Sequence, residues 1–144
     1  MMWQRLCVLM IASLLSATSW ANKIENIRVW PAPNETRVVV DLADKADFSY
    51  FSLTRPDRLV VDLKQSQLAT GLPKRIKGSD ILTKIRKSSP PDATTYRLVF
   101  ELKDSAKPHI FALAPGGEYG HRVVVDLPQA HQVDQNKPTL SVAD

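Results

Sequence analysis

Arginine and acidic residues recur at a fixed spacing in four short segments of the sequence. Each segment starts with Arg, continues with apolar residues and ends in an acid followed by Leu, as in Arg-Val-Val-Val-Asp-Leu at 37–42, and the other copies are 58–63, 97–102 and 122–127. A guanidinium presents a planar fork of donors that fits carboxylates and other planar polar groups. We therefore take the charged residues of the four copies as candidate ligand-binding residues: Arg37, Asp41, Arg58, Asp62, Arg97, Glu101, Arg122 and Asp126.

Two interpretations of this repeat stand side by side. If two copies pair as antiparallel strands in register, each Arg lies opposite an acid with a Val pair between them, which stabilises a sheet by a few tenths to about 1 kcal/mol. Ion pairs of this kind are commonplace on protein surfaces. In the functional interpretation, the same charged face binds sugar hydroxyls, N-acetyl groups and peptide carboxylates, and two equivalent faces gain avidity for a repetitive polymer.

Aromatic residues offer a second kind of contact. Ile27 and Val29 take the inward positions of the first predicted strand, so Arg28 and Trp30 should face outward. Trp30 is therefore a candidate for stacking on a sugar ring, although a Trp packed under the loop that begins at Pro31 fits the sequence equally well.

The residues give no support for catalysis. The three histidines (His109, His121 and His131) fit no recognised zinc spacing, and the sequence contains neither a nucleophile elbow nor a glycine-rich phosphate loop. We predict no catalytic residue, no metal site and no cofactor in this chain.

The elements that carry these residues are predicted to be strands from an internal duplication. Segment 37–41 matches 97–101 at an offset of 60, and Arg58 matches Arg122 at 64, so the second copy has two extra residues in its first loop and four in its last. Apolar segments separated by Pro, Gly and Asn turns indicate strands, and no helical periodicity competes with them. The predicted strands are 24–30, 36–42, 47–53, 58–63, 81–87, 95–102, 108–113 and 121–127.

This pattern predicts an all-β sandwich. The second, fourth and sixth positions of each copy are large and apolar, which puts them on one face of a strand that must be buried. A half of about 60 residues has too small a core to fold alone. We therefore expect two pseudo-symmetric four-stranded sheets, one from each half (about 22–63 and 81–127), packed face to face.

The two ends of the chain are predicted to lie outside this domain. Residues 1–21 are typical of a secretory signal, with Arg5, an apolar stretch at 6–15 that contains Cys7, and cleavage near Ala21. That stretch of roughly 10 residues is too short for a stable membrane anchor. The domain is expected over 22–128, followed by a polar linker or tail at 129–144. The net charge of +4, or +3 without Arg5, is too mild for a dedicated nucleic-acid binder, and export argues against one.

Three segments resemble the AMIN domain, and the resemblance covers about 23 to 128. They are Ile-Arg-Val-Trp-Pro-Ala-Pro-Asn-Glu-Thr-Arg-Val-Val-Val-Asp-Leu (27–42), Tyr-Phe-Ser-Leu-Thr-Arg-Pro-Asp-Arg-Leu-Val-Val-Asp-Leu (50–63) and Tyr-Gly-His-Arg-Val-Val-Val-Asp-Leu (119–127). The resemblance implies a β-sandwich with two symmetric sheets that binds peptidoglycan. Such domains sit at the N-terminus of periplasmic N-acetylmuramoyl-L-alanine amidases that separate daughter cells, and direct them to the septum.

The resemblance thus predicts a non-catalytic, periplasmic module of a cell-wall amidase, responsible for peptidoglycan binding and septal targeting. The zinc domain of such amidases has no counterpart among the residues after Leu127. Peptidoglycan is the expected partner, and division-site or envelope proteins are further candidates. The alternative is a protein-interaction or wall-anchoring AMIN module of another envelope complex, such as a type IV pilus secretin.

Overall fold

The structure is a computed structural model that describes residues 21–69 and 71–129. The predicted signal peptide, apart from Ala21, and the predicted linker beyond residue 129 lie outside the described residues. Within the described part of the chain, no helix is long and apolar enough to cross a membrane.

All eight predicted strands are present, and their bounds differ from the prediction by at most two residues. Two short strands, β5 and β6, lie in the connector between the halves, where no strand was predicted. The strands are β1 (Asn22–Trp30), β2 (Glu35–Leu42), β3 (Phe48–Leu53), β4 (Arg58–Lys64), β5 (Ser66–Leu68), β6 (Lys74–Arg75), β7 (Leu82–Ser88), β8 (Thr95–Leu102), β9 (His109–Leu113) and β10 (His121–Pro128).

The chain is an all-β sandwich, but its sheets are not formed by the separate halves. Sheet A has the order β5-β1-β2-β10-β9 and sheet B the order β3-β4-β8-β7-β6. Each sheet has five strands rather than the predicted four, because β5 and β6 extend them. Each also takes one hairpin from each half, because the chain crosses from one sheet to the other at 43–47 and again at 103–108.

The duplication therefore relates sheet A to sheet B. Strands β1, β2, β10 and β9 of sheet A correspond to β7, β8, β4 and β3 of sheet B. The four repeat copies are the neighbouring strands β2 with β10 and β4 with β8, which pair antiparallel. Neither half can complete a sheet without the other, so the two halves must fold together.

One core lies between the two sheets, and the repeat supplies most of it. The apolar positions predicted to face inward are buried on all four copies except Leu102, which is partly buried, and Phe100 is the largest fully buried side chain. Sheet A contributes Ile24, Ile27, Val38, Val40, Leu42, Val123, Val125 and Leu127, and sheet B with the loop before β7 contributes Leu59, Val61, Leu63, Ile81, Leu82, Ile85, Leu98 and Phe100. Burial of these side chains stabilises the sandwich by roughly 1.5–3 kcal/mol each. The charged positions are consequently left on the two outer faces.

Candidate functional site

On the outer face of sheet A, the arginines and acids of β2 and β10 lie in the register that the repeat predicted. Arg37 is opposite Asp126, and Arg122 is opposite Asp41. Arg37 donates two hydrogen bonds to Asp126, at 2.8 and 2.9 Å. Asp41, however, accepts its two hydrogen bonds from Arg28 of β1, at 2.6 and 2.7 Å. Arg122 donates instead to two carbonyl oxygens of the β9–β10 loop, each at 3.2 Å.

The outer face of sheet B repeats this arrangement. Arg97 donates two hydrogen bonds to Asp62, at 2.7 and 2.8 Å. Glu101 lies opposite Arg58 in the register, yet its partner is Arg86 of β7, at 3.0 Å. Arg58 donates to carbonyl oxygens of the β3–β4 turn, at 2.8 and 3.5 Å. The duplication has therefore preserved the ion pairs as well as the strands.

Sequence reasoning did not assign Arg28 and Arg86 as partners of the repeat acids. A signal was available, because the two residues are 58 apart in matching copies and both occupy outward positions next to a repeat strand. The hydrogen bond to Asp41 raises the pKa of Arg28, and the nearby Tyr119 raises it further, against an opposing effect of burial. Arg28 lies on β1 and Arg86 on β7, and neither strand contains a copy of the repeat. The repeat alone therefore does not predict these two ion pairs.

The acids of the two ion pairs that join repeat copies are less exposed than the sequence implied. Asp62 and Asp126 are buried, although both point to the outer faces, because arginines and neighbouring side chains cover them. Hydrogen bonds to these acids raise the pKa of Arg97 and of Arg37 above the ordinary value. The four valines between the charged pairs are also outward but buried: Val39, Val60, Val99 and Val124. Much of the charge pattern is thus a structural ion-pair network.

Sheet A carries a groove beside this network in which aromatic side chains remain exposed. Trp30 is 48% exposed and Tyr119 is 51% exposed. The guanidinium of Arg28 lies between them, 5.1 Å from the centre of the Trp30 ring and 5.2 Å from that of Tyr119. The guanidinium of Arg122 also lies 5.2 Å from the centre of the Tyr119 ring. Cations at these distances hold aromatic rings in place by cation–π attraction.

The groove is a shallow cavity of about 370 Å³ with an apolar floor. Val39 and Val124 form the floor, and Leu113 is exposed at the rim. An open site with exposed rings, an apolar floor and arginine forks along its sides fits the flat face of a sugar ring together with its polar substituents. The outward orientation predicted for Trp30 is confirmed, and its exposure argues against a Trp packed under a loop.

The loop between β9 and β10 brings Tyr119 into the groove. The backbone amides and carbonyls of Gly116 and Tyr119 hydrogen-bond to each other in both directions, at 3.0 Å. Gly117 has a φ of 58°, a left-handed conformation that glycine adopts without a steric penalty. This loop is four residues longer than the matching β3–β4 turn, which therefore has no equivalent of Tyr119.

The matching surface of sheet B is chemically different. The positions that match the groove lining are Leu53, Arg58, Val60, Arg86, Ser88, Arg97 and Val99, and none of these is aromatic. One exposed ring does flank this face, because Phe51 of β3 lies with its ring centre 5.4 Å from the guanidinium of Arg97. Ser88 stands where sheet A has Trp30. The two faces that the sequence presented as equivalent therefore share their ion pairs, while Trp30 and Tyr119 have no counterpart on sheet B.

The described residues offer no arrangement for metal chemistry. Among residues 21–69 and 71–129, no three His, Cys, Asp or Glu side chains are grouped so that they could hold a metal ion. No described buried side-chain polar atom lacks a hydrogen-bond partner.

Comparison with known proteins identifies the family. A model of the AMIN domain family matches residues 26–127. The N-acetylmuramoyl-L-alanine amidase AmiC of Escherichia coli O6:H1 is 35% identical over 126 residues, which are 85% of this chain and 30% of that protein. The amidase of the same name from Neisseria meningitidis serogroup B is 31% identical over 135 residues, 92% of this chain and 32% of that protein. The chain spans about a third of the length of these two relatives.

Proposed function

This chain belongs to the AMIN domain family, and we propose that it is the peptidoglycan-binding module of a periplasmic cell-wall amidase. It carries out no chemistry itself: its groove binds the wall and so brings an attached amidase domain to its substrate. The similarity to two N-acetylmuramoyl-L-alanine amidases supports this function, because an enzyme that acts on an insoluble polymer gains from a domain that binds the same polymer.

The aromatic groove of sheet A is the observation that carries the proposal. Trp30 and Tyr119 offer ring faces for stacking on sugars, while Arg37 and Arg122 offer donors for acetamido and carboxylate groups. Of the residues predicted from the repeat, those on sheet A therefore line or support the site. Those on sheet B (Arg58, Asp62, Arg97 and Glu101) lie outside the groove, and all but Arg58 form ion pairs that support the fold.

Co-sedimentation with purified peptidoglycan sacculi tests this function. Trp30→Ala should weaken binding roughly three- to tenfold, since it removes the larger stacking surface. Tyr50→Ala is the matched control, because Tyr50 is aromatic and 46% exposed but lies on sheet B outside the groove. If both variants sediment like the unchanged protein, the groove is not the binding site, and if the unchanged protein does not sediment at all, the proposed function is wrong.

Removal of the repeat arginines is a less direct test. The sequence alone favours Arg37→Ala combined with Arg97→Ala, with weaker co-sedimentation with sacculi and an intact fold. In the structure both arginines hold buried carboxylates, so their removal changes stability together with binding. Trp30 does not pair with a buried carboxylate, so its replacement separates the effect on wall binding from the effect on stability.

Export and septal targeting are further parts of the proposal. N-terminal sequencing of the mature protein should give a start near Asn22 if residues 1–21 are a cleaved signal. A fluorescent fusion of the exported chain should collect at division septa, and Trp30→Ala should spread its signal along the cell envelope. A septal signal that is unaffected by Trp30→Ala would mean that something other than the groove directs the protein there.

An alternative function as a protein-interaction module is favoured by β3. It lies at the edge of sheet B, contains no charged residue and exposes Tyr50 and Phe51. The amide of Lys64 donates to the carbonyl of Asp47, so by antiparallel alternation the backbone of Tyr50 points away from the sheet. Uncharged edges of this kind accept a strand from another protein.

Muramidase treatment distinguishes the two functions. A protein partner recovered from envelope extract should remain bound after the glycan is digested, and Tyr50→Pro should release it, because proline removes an outward amide donor. Under the peptidoglycan-binding function, digestion releases the bound material and Tyr50→Pro leaves sacculus binding intact.

A further inference from the structure

We infer that the groove of sheet A selects an amino sugar that bears a carboxylate on a short arm, and that Arg122 binds this carboxylate. The inference rests on the proposed wall-binding function and names the chemical group that the site distinguishes. It follows from the charge balance of the groove, from the position of Arg122 beside the aromatic rings and from a comparison of the two sheets.

The groove has three guanidinium groups, and two of them already have a carboxylate partner. Arg28 is paired with Asp41 and Arg37 with Asp126. Arg122 forms no ion pair with any carboxylate in the described part of the chain, and its register partner Asp41 is occupied by Arg28. The local excess of one positive charge therefore belongs to Arg122.

The hydrogen bonds of Arg122 leave room for a ligand. A guanidinium carries five N–H donors, and the two contacts of Arg122 with loop carbonyl oxygens are both long, at 3.2 Å. A carboxylate would offer shorter, charge-assisted bonds to donors that these contacts leave free. The apolar floor beneath Arg122, formed by Val39 and Val124, reduces the solvent that would otherwise weaken such a bond.

The distance between Arg122 and the stacking surface limits how far the carboxylate can be from the sugar. The guanidinium carbon lies 5.2 Å from the centre of the Tyr119 ring. A sugar held in the groove beside this ring therefore needs only a short arm to bring an acid to Arg122. The lactyl ether of a peptide-free muramyl residue has this form, whereas the free carboxylates of a peptide stem are separated from the ring by amide bonds.

Sheet B supplies an internal control for this assignment. Arg58 matches Arg122 in the duplication and also bonds only to loop carbonyl oxygens within the described residues. Phe51 is exposed on the same face, but sheet B has no counterpart of Trp30, where Ser88 stands, or of Tyr119. An unpaired arginine therefore occurs on both faces of the described structure, and its combination with an exposed Trp and Tyr occurs on sheet A.

Titration with small soluble ligands, followed by NMR chemical shifts, tests the inference. The probes are chitobiose, which is neutral, the disaccharide of N-acetylglucosamine and N-acetylmuramic acid with a free lactyl carboxylate, and the same disaccharide with its peptide stem. The unchanged protein should bind the lactyl disaccharide roughly tenfold more tightly than chitobiose, a difference typical of one charge-assisted contact. The stem-bearing disaccharide should bind less tightly than the lactyl form.

Three variants show which arginine is responsible. Arg122→Gln should abolish the preference for the lactyl disaccharide over chitobiose, and Arg58→Gln should retain it. Arg122→Lys should keep part of the preference, because it retains the charge without the fork. If the loss came only from distortion of the loop that carries Tyr119, both Arg122 variants would also bind chitobiose less tightly.

The outcomes separate this inference from the proposed function. Sedimentation with sacculi combined with equal affinity for all three probes would overturn the carboxylate assignment and leave wall binding in place. Tighter binding of the stem-bearing form than of the lactyl form would overturn the short-arm assignment and identify a stem carboxylate as the group bound. A preference that survives Arg122→Gln would likewise remove Arg122 from the site.

Discussion

Replacement of Arg97 by Met tests whether the outward ion pairs hold the sandwich together. Arg97 and Asp62 join two neighbouring strands from different halves by two hydrogen bonds, at 2.7 and 2.8 Å. Met keeps most of the length and apolar volume of the arginine stem but has no charge. The variant therefore leaves the carboxylate of Asp62 without its partner in a nearly covered position.

The size of the effect follows from how much water reaches the pair. The side chain of Asp62 is 10% exposed and that of Arg97 is 23% exposed. Removal of one partner from a fully buried pair costs about 3–5 kcal/mol, and exposed pairs contribute about 0–1 kcal/mol. Because this pair lies between those limits and nearer to the buried one, we expect Arg97→Met to lower the free energy of unfolding by about 2–3 kcal/mol.

Urea denaturation measures this free energy, and two further variants make the result specific. Arg58→Met removes an arginine from the same sheet that has no carboxylate partner among the described residues, so it should cost less than about 1 kcal/mol. Arg97→Met combined with Asp62→Leu removes the whole pair and should recover most of the loss. The reasoning fails if Arg97→Met costs no more than Arg58→Met, or if the double variant is as unstable as the single one.

Three other predictions concern stability. Ser79→Ala should lower the free energy of unfolding by about 1–3 kcal/mol in urea denaturation, because the buried Ser79 hydroxyl accepts hydrogen bonds from the amides of Ile81 and Leu82; an unchanged midpoint would contradict this. Phe100→Ala should cost about 3–5 kcal/mol by the same assay, since it opens a cavity between the two sheets, whereas a loss below 1 kcal/mol would mean that the core closes around it. Hydrogen bonds from neighbouring threonines lower the pKa of Asp92, so its stabilising effect is present above the unfolded pKa of about 4 and is lost as the pH falls through the lower folded value. Asp92→Ala should consequently lower the melting temperature slightly at pH 7 and not at pH 2, and equal effects at both would be inconsistent with a charge-dependent role.

Part of the candidate site could be predicted from strand register, and the rest depends on side-chain reach and on the position of a loop. Arg37 and Asp126 could be paired from the repeat, since strand register fixes which outward residues are opposite each other. The partner of Asp41 could not, because Arg28 on the neighbouring strand competes with Arg122 for the same carboxylate and side-chain reach decides between them. The groove was also invisible in the repeat, since Tyr119 reaches it from a loop that the first half lacks.

The sequence by itself determined the eight main strands, their inward and outward faces and the pairing of Arg37 with Asp126 and of Arg97 with Asp62. Those features depend on a period of two along each strand and on which residues prefer water, and both are local properties of the chain. Only the tertiary structure decided that each sheet joins hairpins from both halves, and that Trp30 and Tyr119, 89 residues apart, border the same groove. That outcome depends on how the chain crosses between the sheets. In one possible arrangement both hairpins of a half lie in the same sheet, and in the other they lie in different sheets. Both arrangements bury the same apolar faces, so the hydrophobic pattern could not distinguish them.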